Sequence, residues 1–246
     1  MKYLSYIILA AIVLSATPAL GQSRHRLPKL AAGLRLGTNI GSISLTDKAY
    51  DIYSSSPSAF AVAGAWFQYR TEVGISFRPE LTYKGRGGTL TGNDVYYHLL
   101  TNTIDTRLCM QLDFYVARSF ASFYLMAAPT YVHTLGGHVS YRDDLNGDLN
   151  LDLSANNISD DEFELFCGAG FEYPLFAGGT MMLLSLEAGY NFTLTNNFTA
   201  AERNGELNAI NLTNLSQPSV GSRLLHGVEL AVRVGIPFGH HMKIRR

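Results

Sequence analysis

The sequence contains little of what would indicate several common classes of protein. Its two cysteines, Cys109 and Cys167, are too few for the disulfide framework that holds small secreted domains together. With 19 Lys and Arg against 20 Asp and Glu, the formal net charge is -1, so the basic stripe needed to bind nucleic acid is missing. Beyond residue 21 no run of about 20 apolar residues occurs, which argues against a membrane-spanning helix there.

A shorter apolar run does occur at the start of the sequence. Lys2 precedes the apolar stretch Leu4–Ala16, and the small residues Ala19 and Gly21 follow it. A charged residue, a short apolar core and small residues at the exit are typical of a secretory signal peptide. We therefore expect residues 1–21 to be removed, with cleavage before Gln22.

The rest of the sequence alternates between apolar and polar residues. In Leu224–Phe238, Val228, Val232 and Val234 share one parity, whereas Glu229 and Arg233 share the other. Successive side chains of a β-strand point to opposite faces, so this segment predicts a strand with one apolar and one charged face. The pattern recurs and predicts eight strands: Leu30–Ile40, Ala59–Tyr69, Glu72–Lys84, Thr103–Tyr115, Phe120–Thr134, Glu162–Tyr173, Met181–Thr195 and Leu224–Phe238.

The connections between these strands alternate in length. Short turns are predicted at Arg70–Thr71, Ala117–Ser119 and Pro174–Gly179. The long connections are rich in Gly, Ser, Asn and Asp, and comprise Gly41–Ser58, Gly85–Asn102, Leu135–Asp161 and Asn196–Arg223. Short periplasmic turns and long extracellular loops are typical of outer-membrane barrels. The sequence therefore predicts an all-β protein, an eight-stranded antiparallel up-and-down transmembrane β-barrel, in the outer membrane of a Gram-negative bacterium.

This topology predicts four segments and leaves both termini in the periplasm. They are a signal peptide at 1–21, a periplasmic N-terminal segment at 22–29, the barrel at 30–238 and a basic periplasmic tail at 239–246.

A soluble lipocalin-type barrel also has eight strands, but with its apolar face inward. The aromatic residues favour the membrane barrel because they lie at both ends of the apolar face, as in the two girdles at the membrane interfaces. Tyr69, Phe114, Tyr173 and Phe238 lie at the turn end, and Tyr83, Phe163 and Phe192 lie at the loop end.

The charged face is then expected to line the lumen. Its predicted members are Arg35, Glu72, Arg78, Glu80, Lys84, Arg107, Asp113, Glu164, Glu172, Glu187, Glu229 and Arg233. Eight strands leave an interior that side chains just fill, and buried charges are tolerated when they are paired. We expect a structural salt-bridge network rather than an ion or proton pathway, with Glu229 as an acidic neighbour of Arg233.

The third long loop contains a weak candidate metal site. Asp144, Asn146 and Asp148 place oxygen side chains at every second position. An EF-hand loop, however, needs Gly at its sixth position and Glu at its twelfth, where Leu149 and Ala155 stand. The alternation instead favours a hairpin projecting above the membrane, and no metal or other cofactor is expected.

His138 and Ser140 form a His-x-Ser motif similar to that of outer-membrane lipid A deacylases. In such enzymes the histidine acts as base and the serine as nucleophile. The resemblance implies a lipid-modifying enzyme, but the motif is predicted to fall at the edge of a long loop, and no carboxylate partner is evident.

Three segments resemble motifs of the PorT-like outer-membrane β-barrel family of Bacteroidetes. They are Phe77–Gly85, Ala128–Tyr131 and Phe166–Tyr173. The resemblance covers nearly the whole chain after residue 21 and implies an eight-stranded outer-membrane barrel. The namesake of the family assists protein secretion, but its own N-terminal motif is not found here.

The sequence leaves three functions open. The first is a non-enzymatic barrel whose loops contact a protein partner, matrix or host surface. The second is a lipid-modifying enzyme using His138 and Ser140. The third is an accessory to secretion or envelope assembly that docks through its basic periplasmic ends. Outer-membrane lipid is the expected environment in each case, the protein partner is not identified, and nucleic acid is not expected.

Overall fold

A computed structural model of the chain describes residues 28–45, 54–71, 73–92, 95–116, 121–143, 147–153, 161–177, 180–195 and 223–238. The expected signal peptide and the basic tail lie outside these residues. The described residues form ten strands: β1 (Leu30–Leu45), β2 (Ser54–Ser56), β3 (Ser58–Arg70), β4 (Ile75–Gly92), β5 (Val95–Tyr115), β6 (Ser122–Asp143), β7 (Gly147–Leu153), β8 (Asp161–Ala177), β9 (Thr180–Thr193) and β10 (Arg223–Phe238).

Eight of these strands close into a ring of antiparallel neighbours. Around the ring the order is β4, β3, β1, β10, β9, β8, β6 and β5, and β5 pairs again with β4. The short strands β2 and β7 lie outside the ring and pair with β4 and β6 respectively. Every strand of the ring therefore has a hydrogen-bonded neighbour on both sides, and the ring has no free edge. This confirms the predicted antiparallel barrel.

The apolar side chains point outward and the charged side chains point inward. On β4, Arg78 and Glu80 are 0% and 3% exposed, whereas their neighbour Leu81 is 56% exposed. A lipocalin-type barrel would show the reverse, so that alternative is wrong. None of the described segments is a helix of the length and apolar character needed to cross a membrane.

The strands are longer than the sequence predicts, mainly at the loop end. Most of the predicted loop Gly85–Asn102 is instead a hairpin formed by β4 and β5, which runs to Gly92 and Val95. Likewise, β6 continues into the predicted loop Leu135–Asp161 as far as Asp143, and β7 pairs back onto it. Outward apolar residues mark the predicted strands, and the extensions have few of them, among them Tyr96 and Leu100.

At the turn end the differences are smaller. The third predicted strand begins at Ile75 and not at Glu72, which lies outside the described residues. Arg70, predicted to be part of a turn, is the last residue of β3 and is 3% exposed. Gly74 has a φ of 83°, which favours glycine, and this lets the chain reverse directly after Thr71 and Val73.

The extensions form what we call the loop-end sheet, consisting of β2, residues 85–92 of β4, 95–102 of β5, 136–143 of β6, and β7. The polarity of this sheet is the reverse of that of the ring below it. Leu90, Tyr97 and Leu99 point inward and are at most 2% exposed. Thr91 and His98 point outward. Above the inward residues Arg86 and Thr101, the loop-end sheet therefore has an apolar inner side and a mainly polar outer side.

A β-bulge in β6 marks the lower border of this sheet. Thr103 pairs with Thr134 and Asn102 pairs with Gly136, so Leu135 is an extra residue without a register partner. Gly136 adopts a φ of 146°, a conformation that glycine accommodates best. The extra residue reverses the parity of β6, and His138 therefore points outward.

Candidate functional site

The lumen contains the largest group of chemically reactive side chains in the described residues. Fifteen charged residues, seven cations and eight carboxylates, are at most 6% exposed. The cations are Arg35, Arg70, Arg78, Lys84, Arg86, Arg107 and Arg233, and the carboxylates are Glu80, Asp105, Asp113, Glu162, Glu164, Glu172, Glu187 and Glu229. The two signs nearly balance, as buried charges require.

Arg35 lies at the centre of this network. Its Nη1 is 3.1 Å from Oε2 of Glu80, and its Nη2 is 3.2 Å from Glu187 and 2.8 Å from Glu229. Arg107 holds Glu229 in a bidentate pair, with distances of 2.9 and 2.7 Å. Such forked pairs fix both partners in one geometry, so this layer is a rigid core rather than a set of mobile charges.

Arg233 extends the central layer toward the turn end. Its Nε is 2.7 Å from Oε1 of Glu187, its Nη2 donates to the Tyr124 hydroxyl at 3.0 Å, and its guanidinium lies 4.7 Å from the centroid of the Trp66 ring. Glu229, expected from its position on the same strand face, instead binds Arg107 and Arg35. The expectation was wrong because residues four apart on one strand are separated by about 13 Å, whereas Glu187 lies on the neighbouring strand β9, opposite Ala231.

Two further groups contain lumen residues that are absent from the predicted set, namely Arg86, Asp105 and Glu162 at the loop end and Arg70 at the turn end. At the loop end, Lys84 binds Asp105 at 2.6 Å, and Arg86 binds Glu162 at 2.9 Å and also contacts Glu164. At the turn end, Arg70 donates to Glu172 at 2.8 Å and to Asp113 at 3.2 Å. Arg70 and Arg86 have the parity of the lumen residues on their own strands, which was the available signal. Both were assigned to connections.

Aromatic side chains fill the space between these layers, and glycines on the neighbouring strands accommodate them. A Cβ on Gly189 would lie 2.3 Å from the Phe166 ring, and one on Gly170 would lie 2.3 Å from the Tyr124 ring. No real Cβ approaches this closely, so only glycine fits under these rings. The lumen is packed as a protein core is packed.

Buried apolar residues accompany the charged side chains near both ends of the lumen. Ala31, Trp66 and Leu183 form a buried cluster at the turn end. At the loop end, the inward positions above Arg86 are occupied by Leu90, Leu99 and Leu225, which are at most 2% exposed. The charged side chains of the lumen are themselves at most 6% exposed, so the ion pairs of the described barrel are shielded from the solvent.

The outer side of the loop-end sheet holds a row of polar side chains across three strands. Thr89 of β4 pairs with His98 of β5, and His98 pairs with Ser140 of β6. The Thr89 hydroxyl lies 2.9 Å from Nδ1 of His98, and the rings of Tyr96 and His98 stack at 6.5 Å. Burial, and after it the charge of His138, lowers the pKa of His98 below its usual value.

A second polar cluster joins β6 to β8 at the loop end of the ring. The Asp161 carboxylate accepts hydrogen bonds from the Tyr131 hydroxyl and from Nδ1 of His133, the latter at 3.0 Å. These two bonds, Tyr131 first, lower the pKa of Asp161. Asp161 is the first residue of β8, so the cluster anchors the start of that strand.

Comparison with known proteins adds the family. A family model described as the outer membrane protein beta-barrel domain matches residues 21–199. The chain belongs to this family. Its members indicate the outer membrane of Gram-negative bacteria as the location, in agreement with the apolar outer face of the ring. No curated protein matches the chain in sequence.

Several solved structures are similar in fold. Neisserial surface protein A is 14% identical, with a TM-score of 0.38, and the match covers 85% of this chain and 99% of that one. OprG from Pseudomonas aeruginosa is 11% identical, with a TM-score of 0.44 and coverage of 88% and 98%. Ail of Yersinia pestis, solved with the heparin analogue sucrose octasulfate, is 7% identical, with a TM-score of 0.36 and coverage of 85% and 99%. At these TM-scores the fold assignment rests on the strand ring and the family.

The structure places most of the predicted lumen residues inside this family's barrel. Arg35, Arg78, Glu80, Lys84, Arg107, Asp113, Glu164, Glu172, Glu187, Glu229 and Arg233 are all buried and share ion pairs. Glu72 lies outside the described residues. The free thiols Cys109 and Cys167 point to opposite faces, inward and outward respectively.

The other predicted sites lie in or near the loop-end sheet. Asp144 and Asn146 lie outside the described residues, and Asp148 lies in β7. His138 and Ser140 lie within β6 and not at the edge of a loop, because the sheet continues past the bulge at Leu135. In the described part of the chain, no group of three His, Cys, Asp or Glu residues is placed to hold a metal ion.

Proposed function

We propose that the chain is a non-enzymatic outer-membrane barrel that presents its loop-end sheet as an interaction surface outside the cell. The observation that carries this proposal is the reversed polarity of that sheet, which buries Leu90 and Leu99 and turns Thr91 and His98 outward. A wall surrounded by lipid needs apolar outer residues, whereas a wall surrounded by water needs polar ones. The sealed, ion-paired lumen supports this wall as a rigid base.

In this proposal the loop end is extracellular and both termini are periplasmic. A thiol-labelling experiment tests the orientation in a variant in which Cys109 and Cys167 are replaced by Ser. Thr91→Cys should react with a membrane-impermeant maleimide on intact cells, because Thr91 is exposed on the outer side of the sheet. The matched control Thr71→Cys, at the turn end, should react only after the cells are lysed. The reverse labelling would invert the orientation.

The partner in this proposal is a protein, matrix or host surface that meets the polar outer side of the sheet. The alternative role, assistance to secretion or envelope assembly, requires contacts at the periplasmic ends. The two roles can be distinguished with two strains. In one strain residues 239–246 are deleted, and in the other Thr91 is replaced by Arg. If the tail deletion alone impairs secretion of other proteins, the accessory role replaces the surface role.

We further propose membership of the PorT-like group within this family. The three motifs that carry the resemblance lie on strands of the ring, with Phe77–Gly85 in β4, Ala128–Tyr131 in β6 and Phe166–Tyr173 in β8. Genes for secretion or envelope assembly beside this gene would support an accessory function. A neighbourhood without such genes favours the surface role.

A lipid-modifying enzyme is the second candidate, favoured by the placement of its two residues. His138 and Ser140 share the outer side of β6, and the register sets Asp152 of β7 opposite His138. If they act as base and nucleophile, expression of the wild type should remove an acyl chain from lipid A, and Ser140→Ala should abolish the change. The surface proposal predicts no acyl loss with either protein, as measured by mass spectrometry of extracted lipid A.

A further inference from the structure

Two histidines are neighbours on the outer side of the loop-end sheet. His98 of β5 pairs with Ser140 of β6, and Leu100 pairs with His138, so the two imidazoles are diagonal neighbours. In an antiparallel sheet such residues lie about 7–8 Å apart at Cα, within reach of ring side chains. The bulge at Leu135 creates this pair, because without the extra residue His138 would point inward.

The His98 ring is held in one orientation. The Thr89 hydroxyl lies 2.9 Å from its Nδ1, and the Ser58 hydroxyl lies 3.4 Å from that of Thr89. The Tyr96 ring is inclined by only 18° to the imidazole and stacks on it. A hydrogen bond at one ring nitrogen, which fixes the tautomer and the direction of the other, is the usual second-shell arrangement for a histidine that binds metal.

We propose that His98 and His138 together bind a first-row transition metal ion of the class that prefers imidazole, namely Zn²⁺, Cu²⁺ or Ni²⁺. Each histidine contributes one ring nitrogen, and water completes the coordination. Both imidazoles must be neutral to bind the ion, because a protonated ring nitrogen has no lone pair to donate to a metal. This site is independent of the surface role proposed above.

The test uses the refolded full barrel, in which His25, His240 and His241 are replaced by Ala to remove competing histidines outside the described residues. Isothermal titration with Zn²⁺ should show one equivalent bound, and Cu²⁺ should give an electron paramagnetic resonance spectrum with two coordinated nitrogens. His98→Ala or His138→Ala should each weaken Zn²⁺ binding about 100-fold, since one ligand alone loses the effective concentration that chelation provides.

Two control substitutions show whether this histidine pair, and no other side chain on the outer surface, binds the ion. His226→Ala should leave Zn²⁺ binding unchanged, because His226 lies outward on β10 opposite Ser42, with no second histidine in register. Ser140→Ala should also leave it unchanged, although it would abolish the enzyme of the second candidate. Each variant is first shown to be folded by its altered migration without boiling. Unchanged Zn²⁺ affinity in both His98→Ala and His138→Ala, or an equal loss in His226→Ala, would overturn the proposal.

Discussion

The membrane ring and the loop-end sheet are built from the same strands but have opposite polarity. On β5, Leu108 and Met110 point outward and are 50% and 54% exposed, whereas Arg107 points inward and is buried. Farther along the same strand, Leu99 points inward and is fully buried, and His98 points outward. The parity of β5 does not change. The polarity of a strand face therefore follows the medium around it, lipid below and water above.

The difference also shows how each region is stabilised. The ring keeps charged residues in its interior only because ion pairs and aromatic packing satisfy them, so its core depends on matched partners. The loop-end sheet has an ordinary apolar inner side, and its outer side is tolerant of change. Substitutions should therefore have large, partner-dependent effects in the ring and small, independent effects on the outer side of the sheet.

Breaking an ion pair in the ring should have the largest effect. Arg233→Leu leaves Glu187 and Glu172 short of a partner, and such a loss typically costs about 3–5 kcal/mol. Urea unfolding of the barrel refolded in lipid measures it. Adding Glu187→Gln should recover part of the loss, whereas Glu229→Gln should not, because Glu229 binds Arg107. Equal rescue by Glu187→Gln and Glu229→Gln would contradict the assignment of Glu187, rather than Glu229, as the partner of Arg233.

Placing a charge outward should distinguish the two media. Val232→Arg points into lipid and should lower the free energy of unfolding by about 2–4 kcal/mol. Thr91→Arg, on the outer side of the loop-end sheet, should change it by no more than about 0.5 kcal/mol, since it points into water. The same urea titration serves for both. Equal losses of unfolding free energy in the two variants would place both positions in the same medium. That result would contradict the reversed polarity of the loop-end sheet.

Truncating the inner side of the loop-end sheet should have a local effect. Leu99→Ala removes a fully buried side chain and should cost about 2 kcal/mol, at the low end for such truncations because a sheet open to water can relax. Hydrogen exchange should show faster amide exchange in residues 85–102 and unchanged protection in the ring. Faster exchange throughout β1 and β10 would mean that the two regions unfold as one.

The smallest effect is expected at the Tyr131–His133–Asp161 cluster. Because hydrogen bonds depress the folded-state pKa of Asp161, its contribution to stability is present above the ordinary carboxyl pKa of about 3.9 and is lost as the pH falls through the folded value. Asp161→Asn should therefore reduce stability slightly at pH 7 and flatten its dependence on pH below about 4. A variant whose acid dependence matches the wild type would show that the cluster does not contribute.

Much of the ring could be predicted from the sequence because lipid requires apolar side chains on the outer face of every strand. For residues such as Leu108 and Arg107, parity alone indicates whether the side chain points outward or inward. The loop-end sheet could not be predicted in the same way, since its outward residues are polar and resemble a loop. The bulge at Leu135 was also hidden, because one extra residue reverses parity without changing composition.

The pairing inside the lumen was beyond sequence reasoning for a different reason. Parity tells which residues point inward, but partners such as Arg233 and Glu187 come from different strands at a distance set by the barrel's register. Arg70 and Arg86 have the parity of lumen residues, but they lie beyond the predicted strand ends and within the observed strands. Extending each strand until its parity fails would have recovered both.

The sealed lumen is tested most directly by the chain's own cysteine. Cys109 points into the lumen and is fully buried, so in a Cys167→Ser variant it is the only thiol. A small water-soluble methanethiosulfonate reagent, applied to the folded barrel in lipid, should leave Cys109 unmodified, as measured by mass spectrometry, and should modify it fully after unfolding in urea. A Thr91→Cys control in a Cys109→Ser, Cys167→Ser background should react at once in the folded state. Rapid modification of Cys109 in the folded barrel would show a water-filled interior and contradict the sealed, ion-paired core.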